Sequence, residues 1–178
     1  MRIKTRACLL PLLLMMTDAA NAQDVPDNIR ISGVLGAEAC VVLPEDQNVD
    51  LDFLMVIEKS LYLYQRTPGR EVTLHLAQCD VNILTNVTVS FLGNESQALL
   101  GYLALDRSSS AGGVAIGLEK MDGTPIAINK TGVRQRLTEG DTFFRFKAFV
   151  QGEPLALSGQ RVVKGSFNAT ATFQLEYD

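Results

Sequence analysis

Residues Gly165 to Asp178 read GSFNATATFQLEYD, and no other stretch restricts the fold so tightly. Every second position carries a small or apolar residue: Gly165, Phe167, Ala169, Ala171, Phe173, Leu175 and Tyr177. Between them stand Ser166, Asn168, Thr170, Thr172, Gln174 and Glu176. Successive side chains of a strand point to opposite faces, so the run predicts a β-strand with one buried and one wet face. An ordinary closing strand would alternate in the same way. A second alternating stretch, Asn28 to Ala37, tips the balance. Its apolar set Ile29, Ile31, Gly33 and Leu35 lies opposite Asn28, Arg30 and Ser32, and needs a groove that its own domain need not provide. Together the two stretches predict a protein that completes its neighbours.

At 178 residues the chain has room for one globular domain plus extensions. Met1 to Ala22 has the pattern of a secretory signal peptide. Arg2, Lys4 and Arg6 precede the apolar run Ala7 to Met16, and Ala20-Asn21-Ala22 offers a small-x-small cleavage site. That run is too short to span a bilayer, so a mature chain starting at Gln23 is expected to be soluble. The formal net charge of −4 becomes −6 without Arg2, Lys4, Arg6 and Asp18. An acidic chain with no basic stripe argues against nucleic acid as a partner. Cys8 goes with the signal, which leaves Cys40 and Cys79 as the only pair in an oxidising setting. A disulfide between them would close a loop worth roughly 4 kcal/mol in chain entropy.

Further strands are expected along the chain. Val49 to Ile57 and Leu61 to Tyr64 read as two of them, separated by Glu58-Lys59-Ser60. Pro68-Gly69 punctuates a turn, after which Val72, Leu74 and Leu76 share one face and Thr73 and His75 the other. Val87, Val89 and Phe91 form the next apolar face, and Leu99 to Leu105 another short apolar run. Val114, Ile116 and Leu118 lead into the hairpin signal Asp122-Gly123, from which Ile126 and Ile128 return. Phe144, Phe146, Ala148 and Val150 mark a long strand, and Gln151 to Gln160 a loop. No segment keeps a 3.6-residue period. The expectation is an all-β domain of about seven or more strands.

Catalytic and metal constellations are not found in the sequence. It has no G-x-S-x-G elbow, no glycine-rich phosphate loop and one histidine, so no catalytic or metal residue is assigned and no cofactor is expected. His75 reads as a polar-face strand residue, and Asp50 and Asp52 as the outer face of a strand.

In this order and spacing the motifs resemble the pilin subunits of chaperone-usher fimbriae, the type 1 group in particular. The resemblance rests on Gly33 seven residues before Cys40, on Cys79, on the stretches VAIGLEKMDG from Val114 and FKAFV from Phe146, and on the alternating run with Tyr177 penultimate. Asp52-Phe53, where many relatives carry glycine, and Val72, where an aromatic is common, point to a minor subunit. The resemblance implies an incomplete immunoglobulin-like β-sandwich lacking its last strand. It divides the chain into a signal peptide 1–22, an N-terminal extension 23–39 and a pilin domain 40–178. Ile29, Ile31, Gly33 and Leu35 would be the donor strand lent to a neighbour. Gly165, Phe167, Ala169, Ala171, Phe173, Leu175 and Tyr177 would form the acceptor groove and the chaperone-binding strand. The implied partners are a periplasmic chaperone, an outer-membrane usher and neighbouring subunits, and the implied place is the cell-surface fimbrium. The competing expectation is a self-complete secreted sandwich that binds a carbohydrate or protein through its loops.

Overall fold

The computed structural model describes residues 31–33 and 38–178. The chain divides into two units, Met1–Leu35 and Gly36–Asp178. Of the first, Ile31 to Gly33 are described and carry no regular secondary structure. The signal peptide, Ile29 and Leu35 lie outside the described residues.

Among the described residues of the second unit seven strands form two antiparallel sheets. They are β1 (Arg70–Cys79), β2 (Asn86–Gly93), β3 (Val114–Lys120), β4 (Pro125–Ile126), β5 (Val133–Arg136), β6 (Gly140–Gly152) and β7 (Ala171–Tyr177). One sheet runs β1-β6-β3-β4 and the other β5-β2-β7. The alternating faces read from the sequence meet between them. Leu74 pairs with Phe144 and Val72 with Phe146 across β1 and β6. From the facing sheet Phe91 reaches the ring of Phe146, with centroids 4.9 Å apart. Val87, Val89 and Phe91 are fully buried, as are Leu76 and Val150.

The first sheet is also covered outside, where β3 is buried on both faces. Gly117 is required there: a Cβ would stand 2.6 Å from the Tyr102 ring and closer still to that of Phe149. Arg66 lies over the Phe149 ring and grips the buried Glu119 carboxylate through two hydrogen bonds of 2.9 and 3.0 Å. The disulfide Cys40–Cys79 is formed, both residues being buried. It ties the chain at Cys40 to the end of β1, beside the bridge between Val41 and Ala77.

Three expectations need correction. Leu61 to Tyr64 is not a strand but the end of helix α1 (Glu58–Tyr64). Glu58-Lys59-Ser60, read as a break, is its first turn, where an acidic residue suits the helix dipole. Seven residues give too few turns for a 3.6-residue period to show, and Leu61 is the only buried residue in it. Val49 to Ile57 carries no regular secondary structure and pairs with no strand among the described residues. The loop Gln151 to Gln160 contains the last residues of β6 and a short helix, α2 (Pro154–Ser158), opened by proline at its first position.

Candidate assembly groove

Among the described residues strand β7 has a partner on one side only. Val89 lies opposite Leu175 and Phe91 opposite Phe173, but no described residue pairs with the other edge. Asn86 and Asp178 exchange two backbone hydrogen bonds, 2.9 and 3.1 Å. Hydrogen-bonded positions alternate in an antiparallel ladder, so Thr172, Gln174 and Glu176 turn their backbone groups to β2. Ala171, Phe173, Leu175 and Tyr177 therefore turn theirs to the free edge.

The same parity continues upstream of β7. Here β2 has ended, and the loop Asp106 to Ala111 takes over. Asn168 accepts from the Asp106 N–H at 2.8 Å, and Ser166 accepts from the Ser110 and Ala111 N–H groups at 2.9 and 3.0 Å. The Ser109 and Ser110 hydroxyls accept from the N–H groups of Asn168 and Ser166, each at 3.0 Å. This is why regular pairing starts at Ala171 although the alternation starts at Gly165. Phe167 and Ala169 are left with their N–H and C=O groups on the open side.

Across from this edge runs Gln47 to Phe53. Between the two walls lies an open groove of about 630 Å³. Its floor is core: Val72, Leu74, Phe91, Ile116, Leu118 and Phe146 all reach it. Phe167, Ala169, Ala171 and Phe173 line one wall, and Val49, Leu51 and Phe53 line the other. Phe53 and Phe167 close on each other at one end, with centroids 6.2 Å apart. Among the described residues, no backbone hydrogen bond is formed by Val49 to Phe53 either. The groove is thus a trough with an apolar floor between two edges unpaired among the described residues.

Not every residue expected at the groove lies in it. Gly165 packs against the loop Ser110–Ala111, where a Cβ would stand 2.7 Å from the Ser110 carbonyl carbon. Leu175 and Tyr177 continue the inward face of β7 beyond the groove and pack half-buried against the core. The Tyr177 hydroxyl is buried and finds no hydrogen-bond partner among the described residues. Burial, and then the nearby Glu38 carboxylate, hold its pKa above the ordinary value. The Asp178 side chain pairs with Arg134. Ile31 and Gly33, assigned to donation, belong to the first unit.

Two ties position the Val49–Phe53 wall. At its start, His75 is held between Asp46 Oδ2 at 2.9 Å and Asp141 Oδ1 at 3.2 Å, with its ring stacked 4.8 Å from that of Phe143. Asp141 first, and Asp46 with it, hold the imidazole pKa above its ordinary value. At its end, α1 is fastened to the segment before the alternating run: Lys164 pairs with Glu58 at 2.8 Å, and the Val162 N–H donates to the Tyr62 hydroxyl. Sequence reading assigned no role to this wall. The signal was present in the alternation of Val49, Leu51 and Phe53 with Asp50 and Asp52, but nothing in one strand's pattern says that its neighbour is missing.

A two-sheet sandwich with an open trough where a strand is absent defines a subunit of immunoglobulin-like pilin type. The chain belongs to the Fimbrial protein family, whose profile it matches over residues 29–178. It is 35% identical to the uncharacterized fimbrial-like protein YfcP of Escherichia coli K12, over 93% of this chain and 90% of YfcP. It is 27% identical to the putative minor fimbrial subunit PmfF of Proteus mirabilis, over 96% of this chain and 93% of that one. The fold matches a chain from the structure of a chaperone-usher pilus with a TM-score of 0.67 and 19% identity, covering 87% of this chain and 97% of the other. These matches make the chain a structural fimbrial subunit.

Proposed function

We propose that this subunit is built into a chaperone-usher fimbria by strand addition. The observation that carries the reading is the pair of facing unpaired edges, Val49 to Phe53 and Phe167 to Tyr177, over a floor of core side chains. Buried backbone groups need partners, and an open edge invites pairing. One extended segment inserted between the walls would satisfy both edges and fill the trough, which is strand addition with pockets for alternate side chains. A periplasmic chaperone supplies that segment first and the N-terminal extension of the next subunit replaces it, after passage through an outer-membrane usher to the cell surface. No step calls for catalytic chemistry.

The segment this chain would lend, within residues 23–39, presents Ile29, Ile31, Gly33 and Leu35. Burying each large one contributes about 1.5–3 kcal/mol. Gly33 suits a place where the neighbour's floor comes close to the backbone. Asp52-Phe53 and the similarity to PmfF support a minor subunit rather than a rod subunit.

The test is incorporation. In fimbriated bacteria, Ile31→Asp and Gly33→Leu subunits should accumulate in the periplasm and be missing from sheared fimbriae. Incorporation and extension of both variants at the wild-type rate would contradict the proposal.

A further inference from the structure

Beside the groove lies an apolar patch that strand addition does not use. Unbroken alternation from Leu51 and Phe53 would turn Met55 and Ile57 inward. It is broken at Leu54, whose φ of 55° is left-handed and whose N–H is held by Asp52 Oδ1 at 2.7 Å. The slip turns Val56 inward and sends Met55 and Ile57 out, 87% and 58% exposed. Helix α1 adds Leu63 and Tyr64, 75% and 71% exposed. Between them Phe53, Met55, Val56, Ile57 and Tyr64 line a concavity of about 720 Å³ together with Arg66 and Arg70. Contiguous apolar surface of this kind marks an interaction site.

We propose that this patch is a second interface, and that it receives the folded domain of the subunit whose extension fills the groove. The inference rests on the strand-adding reading above. Two observations select this occupant. First, patch and groove are continuous: Phe53 lines both, at the end where it meets Phe167. Second, the linker is short. Four residues lie between Leu35, the last donor position, and Cys40 at the start of the pilin domain, which makes five residue steps. At about 3.4 Å per residue they reach no more than roughly 17 Å, so a lending domain of this family must sit at the mouth where its strand leaves the groove. Every pairing between named strands in this fold is antiparallel. A lent strand that runs antiparallel to β7 leaves at the Phe167 end, against the patch. The opposite end presents the charged groups of Glu38, Arg134 and Asp178.

The experiment places a photo-crosslinking amino acid at Met55, at Ala169 in the groove wall, or at the exposed Leu155 on α2, in the full chain assembled into fimbriae. Mass spectrometry then maps each adduct. The expected result is that Ala169 captures a neighbour's extension, Met55 captures a neighbour's folded domain, and Leu155 captures neither. An Ala169 adduct without one at Met55 overturns the patch and leaves strand addition standing. So does a Met55 adduct within the same chain, which would mean that its own extension covers the patch. Adducts at neither Met55 nor Ala169 would remove both readings.

Discussion

Strands β2 and β7 lie side by side, paired residue by residue from Val87 with Tyr177 to Gly93 with Ala171, and both alternate between apolar and polar residues. Their fates differ. The inward residues Val87, Val89 and Phe91 are buried, while Ala171, Phe173, Leu175 and Tyr177 remain half-exposed. The difference is one neighbour: among the described residues β2 has β5 on its other side and β7 has nothing. Alternation decides which face of a strand is apolar. Burial of that face, and satisfaction of the backbone, depend on how many strands flank it. In β7 the apolar face is present without a second flanking strand among the described residues to bury it.

The largest expected effect separates the two strands by truncation. Phe91→Ala should cost about 3–5 kcal/mol in urea unfolding of the free subunit, because a ring packed on Phe144 and Phe146 leaves a cavity. Phe173→Ala should cost about 1–2 kcal/mol in the free subunit, since its ring is only partly buried, and more once the groove is filled. Equal costs in the free subunit would mean that β7 is as closed as β2.

Proline substitution sharpens the same contrast. Ser90→Pro removes a ladder donor facing β7 and orphans the Gln174 carbonyl, at a cost of about 1–3 kcal/mol. Ala169→Pro removes an N–H that has no partner among the described residues, and edge positions tolerate proline. Its midpoint should stay near wild type while capture of an added strand weakens.

The smallest effect concerns the opposite wall. The carboxylates of Asp141 and Asp46 raise the His75 pKa above 6.5 in the folded state. The stability this clasp provides is complete below that ordinary value and lost as the pH rises through the raised one. The His75→Gln variant should differ from wild type more at about pH 5.5 than at about pH 8.5 in thermal unfolding. A difference that grows with pH would contradict the clasp.

Much of this molecule was legible in its sequence. The faces of β1, β2, β3 and β6 follow from period-2 alternation because each faces core on that side, and Cys40 and Cys79 had no other partners. What stayed hidden depends on neighbours. Nothing local in VDLDFLMVI says that a strand is absent beside it, nor that Asp52 would hold Leu54 in a left-handed turn and reverse the faces beyond. Gly165 belongs to the alternation yet serves the approach of the Ser110–Ala111 loop, a contact between segments far apart in the chain. The partnering of His75 with two carboxylates joins residues from three segments, and a polar strand face gives no sign of it.

The most direct test of the missing neighbour is a titration of the subunit, cut to begin at Glu38, with a synthetic peptide of residues Asp27 to Ala37, following the denaturant midpoint. A large and slowly reversible rise, with new protection of the Phe167 to Tyr177 amides from hydrogen exchange, is the predicted result. A domain that is already stable and monomeric, whose midpoint and amides the peptide leaves unchanged, would show that the sandwich is complete without a lent strand.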